Sequence, residues 1–183
     1  MKVNILVISL FISFLNFGQN HITNGNFQSG ALSPWIGFKN QVVIDDLTNS
    51  LSGNINNGDG SLIQSFTVNP DETYNVVFNY RWVLSGGTNM TVVVRDGVSG
   101  GSVLGSFVLS NIVDTWHTDG AFSFTVPDNI TTVRLIFFKE NGNRPLRIDN
   151  VNVTQDSNTP SSLIDLDTPV NAQPLSLGVL TEA

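Results

Sequence analysis

The sequence predicts an all-β domain, a sandwich or barrel, on three observations. Val, Ile, Thr and Phe recur in short runs at steady spacing. Gly, Asn and Asp separate those runs, and no segment shows the long apolar periodicity of an amphipathic helix. β-branched and aromatic side chains suit a pleated, half-buried surface, while Gly, Asn and Asp supply the backbone freedom that tight turns need.

The elements follow in order. Met1–Gly18 carries Lys2, then the apolar run Val3–Phe17, then a small-residue exit at Gly18-Gln19. It reads as a secretory signal peptide, because the run is short of the ~20 residues of a spanning helix. No cysteine follows the run to carry a lipid anchor. Export is therefore expected, with the protein secreted or held at the cell surface. Asn20–Lys39 is rich in Gly, Asn and Ser, with two aromatics of buried type, Phe27 and Trp35. Gln41–Asp45 is expected to be a short strand. Leu47–Gly60 reads as a polar loop ending in the turn signal Asn57-Gly58-Asp59-Gly60.

Seven more strands are expected at Ser61–Val68, Thr73–Leu84, Met90–Asp96, Ser102–Leu109, Gly120–Val126, Thr131–Lys139 and Leu146–Thr154. In Thr73–Leu84, Tyr74, Val76, Phe78, Tyr80 and Trp82 share one face, while Asn75, Val77, Asn79, Arg81 and Val83 share the other. Phe122, Phe124 and Val126 alternate with smaller or polar residues, which fits one face on a core and one wetted. Phe137-Phe138 breaks alternation, so that strand is expected to be covered on both sides. From Gln155 the chain turns Ser-, Thr-, Asp- and Pro-rich. Residues 155–183 read as a linker and tail, either the start of a truncated second domain or an export remnant.

Composition excludes several function classes. With 8 Lys+Arg against 15 Asp+Glu, net charge −7 and no basic cluster, the chain lacks the stripe that nucleic-acid binding requires. The absence of cysteine removes disulfides, a thiolate nucleophile and Cys-based metal sites. Two histidines, His21 and His117, make a His-rich metal site a poor expectation.

Three segments carry a family likeness. Thr23-Asn24-Gly25-Asn26-Phe27-Gln28-Ser29-Gly30 followed by Ser33-Pro34-Trp35 is the first. Gln64–Val68 with Thr73–Val76, Phe78 and Arg81 is the second, and Leu146-Arg147-Ile148-Asp149-Asn150-Val151 the third. In this order they resemble the signatures of carbohydrate-binding modules of the family 4/9 type and their family 22 relatives, with residues 20–154 as the module. The resemblance implies a galactose-binding-like jelly roll of two antiparallel sheets, about eight or nine strands in all. It also implies that the first and last signatures lie side by side and hold a structural calcium ion. Carried over, the ligands would be Asn26, Gln28 and Asp149, a set of oxygens that suits a hard cation. Gln28 stands where the family pattern has Glu, so one formal charge is missing.

Sugar recognition needs flat aromatic faces and a few polar groups for hydroxyls. By the same resemblance, Trp35 and Trp116 fall at positions that pack the core. Trp82 lies near a strand end, and Arg81, Asn79 and Asn75 share a polar face, so these four form the expected glycan site. A solvated face with Arg81 in a salt bridge is the plainer reading of the polar three, and the lack of a dense aromatic row weighs against tight binding. Arg95, Arg134 and Lys139 are further candidates for the same sheet. No catalytic site is expected. The acids fall mostly in turns, and no Gly-x-Ser-x-Gly elbow or His-x-x-x-His pair occurs. The expected function is a non-catalytic, monomeric module binding a plant- or algal-type polysaccharide. The alternative is an adhesion or structural sandwich without glycan binding. Exposed aromatics across a sheet would favour the first, and a Ser/Thr/Asn-covered sheet the second.

Overall fold

A computed structural model describes residues 18–156 apart from 85, 98–99 and 110–113. The expected signal peptide, up to residue 17, and the tail from residue 157 lie outside the described residues. Ten strands form: β1 (Ile36–Phe38), β2 (Asn40–Ile44), β3 (Leu51–Ile55), β4 (Gly60–Thr67), β5 (Thr73–Trp82), β6 (Met90–Asp96), β7 (Val103–Leu109), β8 (His117–Thr125), β9 (Thr132–Lys139) and β10 (Leu146–Gln155). They build two five-stranded antiparallel sheets, β1-β4-β9-β6-β7 and β2-β3-β10-β5-β8. The sandwich is the jelly roll that was expected, with no helix among the described residues.

Two elements depart from expectation. The polar loop at Leu47–Gly60 contains β3, which reads poorly because Ser52, Gly53 and Asn54 are weak strand formers. Pairing on both sides, with β2 and β10, overrides that local preference. The short β1 is the second addition, held on the edge of β4.

The core lies between the sheets. Tyr74, Val76, Phe78, Tyr80 and Trp82 of β5 all point into it, as the alternation predicted. They meet Leu62 and Phe66 of β4, Val92 and Val94 of β6, and Val133, Leu135 and Phe137 of β9. Phe78 packs edge-on against Phe137, their ring centroids 5.1 Å apart. Phe138, expected to be covered, is instead 42% exposed, because strict pleating places it on the outer face once Phe137 takes the inner one.

The opening and closing segments are adjacent. His21 N–H donates to Val153 O, and Val151 N–H donates to Gly25 O. The Asn20 side chain bridges the Val151 carbonyl and the Val153 amide. Gly25 is required by close approach: a Cβ there would lie 2.1 Å from the Val151 carbonyl oxygen. Gly53 is required likewise, since its Cβ would strike the ring of the buried Phe27 at 2.5 Å. Trp35 stacks on Phe27 and donates its indole N–H to Asn24 O, a core role as expected.

Candidate functional site

The outer faces of the two sheets differ in chemistry. On the β2-β3-β10-β5-β8 sheet the outward side chains are mostly polar, with Asn75 of β5 between Thr154 and Ser123, Asn79 opposite Asp149, and Val77 exposed between them. Ser123 Oγ donates to Asn75 Oδ1 at 2.7 Å. This is the Ser/Thr/Asn-covered surface of the second expectation.

The four residues expected to form a glycan site on this sheet do not converge. Trp82 has the parity of Phe78 and Tyr80, so the pleat turns it inward, and it is fully buried. Its ring face is closed to an external ligand. Arg81 points outward, yet it is only 1% exposed. The β2–β3 connection folds over it, bringing Asp45 Oδ2 to 2.6 Å and Asp46 Oδ1 to 2.7 Å from Nη1. From the other side Asp114 accepts from Nε at 2.8 Å. Only Asn75 and Asn79 remain partly open.

Arg81 is therefore a clamp. Asp45 is itself fully buried and saturated, for its Oδ1 accepts from the Leu47 and Thr48 amides and from the Trp116 indole. Burial raises the Asp45 pKa, but the Trp116, Thr48, Arg81 and Leu47 hydrogen bonds outweigh it and hold the carboxyl below its ordinary value. Arg147 stands beside them, its Nε 3.8 Å from Asp45 Oδ2 and its Nη1 donating to Asn54. The cluster was hard to read from sequence, because its acids sit in two loops. Asp45-Asp46 after a strand, with an arginine at the end of β5, was the available signal.

The outer face of the β1-β4-β9-β6-β7 sheet sets exposed apolar side chains among Ser and Thr. One row across it runs Phe38, Ser61, Phe138, Thr91, Val108; the next runs Ile36, Ile63, Ile136, Val93, Ser106. Ile36 is 60% exposed, Phe38 55% and Val108 63%. Phe38 and Phe138 stand on strands separated only by β4, so their rings lie about 10 Å apart, two strand spacings. Lys39 places its ammonium 5.0 Å from the Phe38 centroid and pairs with Asp59 at 3.1 Å. Arg95 and Arg134 face each other in the third row, between Ser65 and Val103. Arg95, Arg134 and Lys139, expected on the sheet of Arg81, all belong instead to this opposite sheet, and Lys139 has the inward parity. It is buried, with its ammonium donating to the Gly58, Glu140 and Gly142 carbonyls. Exposed apolar side chains grouped on a sheet face are a liability unless something covers them, so such patches mark interaction sites.

At the junction of the chain ends, Asn26 and Gln28 are exposed and Asp149 is partly buried. The terminal amide nitrogen of Gln28 donates to Asn26 O at 3.1 Å and to Leu51 O at 3.2 Å. Both partners are acceptors, and the Gln28 amide serves both. The two carbonyls that this N–H satisfies are also oxygens of the type that a hard cation takes. Asp149 Oδ1 accepts from the Asn150 amide, and burial raises its carboxyl to about 6. A polar cleft of about 390 Å³ opens nearby, lined by Asn20, Asn24, Asn26, Asn150 and Asn152. Among the described residues no cluster of three His, Cys, Asp or Glu could hold a metal ion.

No family model matches the chain, and no curated protein matches it. Solved structures do. A family 16 carbohydrate-binding module is 18% identical with a TM-score of 0.61, over 74% of this chain and 99% of that one. A family 61 module in complex with β-1,4-galactotriose is 16% identical with a TM-score of 0.59, over 75% and 99%. The enzymatically active domain of tailspike protein 4 of bacteriophage CBA120 is 17% identical with a TM-score of 0.59 over 75% of this chain, which spans only 21% of its length. Family 4 and family 22 modules match as well. The likeness is to the sandwich of carbohydrate-binding modules at large, not to the family 4/9 type alone.

Proposed function

We propose that the protein is a non-catalytic glycan-binding module and that its ligand lies on the outer face of the β1-β4-β9-β6-β7 sheet. One observation carries this reading: Phe38 and Phe138 are open, in one row, and flanked by Ile36, Ile136 and Val108. Pyranose rings have apolar C–H faces that pack on flat aromatic rings. Two rings about 10 Å apart suit alternate sugars of an extended polymer, which a flat sheet face accommodates and a deep pocket does not. The resemblance of the fold to carbohydrate-binding modules supports the same reading. The apolar sequence at the start of the chain supports an exported module acting on an extracellular polysaccharide of plant or algal type.

The test is a set of affinity gels or titrations against xylan, β-glucan and algal polymers. Phe38→Ala and Phe138→Ala are each expected to weaken binding roughly tenfold, about 1.4 kcal/mol, and the double variant to abolish it. Because both rings are exposed, melting temperatures should barely move. Unchanged binding in the double variant, or no binding of the parent to any polymer, would sink the reading.

The calcium implied by the terminal signatures is replaced, in this reading, by the Gln28 amide. Saturating calcium or a chelator should leave the melting temperature of the natural chain unchanged. Gln28→Glu puts a carboxylate oxygen against two carbonyl oxygens. It should therefore destabilise the fold without metal and recover with calcium, by about 2.7 kcal/mol at a hundredfold excess over Kd. A rise in the natural chain's melting temperature on adding calcium would overturn the replacement.

A further inference from the structure

We infer that the ligand of the Phe38–Phe138 face is an anionic glycan, whose carboxylate or sulfate groups are read by Arg134 and Arg95. The inference rests on the glycan-binding reading above and names the substrate class of the same face. Arg134 of β9 and Arg95 of β6 are directly opposed in the antiparallel register, both on the outer face. Opposed like charges on neighbouring strands destabilise a sheet, and no ion pair to either arginine forms among the described residues. Arg134 makes no hydrogen bond or ion pair among the described residues, and Arg95 makes one hydrogen bond, to the Gly101 carbonyl at 2.7 Å.

That isolation is notable in a chain with 15 acids to 8 basic residues. The other outward-facing guanidinium of comparable position, Arg81, has collected three carboxylates. Asp96 follows Arg95 directly, but its carboxylate accepts from the Ser102 amide. The arginine pair therefore presents two forks, each suited to bidentate binding of a carboxylate or sulfate.

The pair is also well placed. Arg134, Ile136 and Phe138 follow one another on the outer face of β9, so the guanidinium row lies about 13 Å from the aromatic row along the strand. A polymer that spans Phe38 and Phe138 runs across the strands, so the anionic groups that meet Arg134 and Arg95 are carried on substituents or branches that extend along β9 over Ile136.

The full chain can be titrated with polygalacturonate for carboxylate, carrageenan for sulfate, and unsubstituted β-1,4-galactan as the neutral polymer. Binding of one or both anionic polymers is expected to exceed that of galactan at least tenfold and to weaken as salt is raised. Preference between the two anionic polymers assigns the charged group. Arg134→Ala and Arg95→Ala should each lower anionic binding at least tenfold and flatten its salt dependence, with melting temperatures kept or raised. Equal binding of galactan and the charged polymers, insensitive to salt and lost in Phe138→Ala, would overturn the anionic inference and leave the glycan reading standing. Failure to bind any polymer would overturn both.

Discussion

Arg81→Ala is expected to cost the fold about 3–5 kcal/mol, the usual effect of removing one partner from a buried ion pair. The loss arises because Asp45, fully buried, would keep its charge without its cation. Asp46 and Asp114 add less, since their side chains are 65% and 30% exposed. A domain of this size holds about 5–15 kcal/mol in all, so the variant should melt far below the parent or fail to accumulate. Pairing Arg81→Met with Asp45→Asn should recover part of the loss, because it removes the orphaned charge. Acid should mimic the single variant. The Asp45 and Asp46 carboxyls lie below their unfolded value of 3.8. Their stabilisation is present above that value and lost as pH falls through the folded one. Asp149 works the other way: raised to about 6, its contribution is present below 3.8 and lost as pH rises through 6. Urea melts of parent and variant at neutral and acid pH read both effects. An Arg81→Ala midpoint equal to the parent's at pH 7 would show that the clamp holds nothing.

The fold was largely legible because its strands follow local rules. The inward set of β5 and the alternation of β8 could be read from residue type alone, and both are inward or partly inward as expected. The terminal junction was expected only through the family likeness of the first and last signatures; Gly25 and the Asn20 side chain, which build it, give no such signal in the sequence. What could not be read was which outward face was open. Arg81 looks like a sugar-reading arginine until two loops close over it, and loop placement depends on contacts distant in sequence. Asp45, Arg81 and Asp114 are brought together from three segments. Phe38 and Phe138 were hidden for the same reason. Their strands are separated by β4, so the row they form exists only once the register is set. A Phe-Phe pair in sequence is compatible with two buried faces or with one buried and one bare, and only the partner sheet decides.

Trp82 separates the expectation from the structure most sharply. Were it a stacking surface, Trp82→Ala would leave a stable protein that no longer binds. Buried as it is, the same change empties a large volume at the end of β5. It also strips cover from Leu146, its partner on β10, and from the Lys139 ammonium 5.9 Å from its ring. Truncating a buried aromatic costs about 3–5 kcal/mol, so Trp82→Ala is expected to lose the fold. Trp82→Phe offers the cleaner measurement. The indole Nε1 is buried with no hydrogen-bond partner, so Phe fills much of the space and removes a desolvated donor, two effects that offset each other. The Phe variant should melt within a few degrees of the parent and keep whatever glycan affinity the parent has, whereas Phe138→Ala should keep the fold and lose affinity. A Trp82→Phe protein with an intact melting temperature and no glycan binding would return the site to β5.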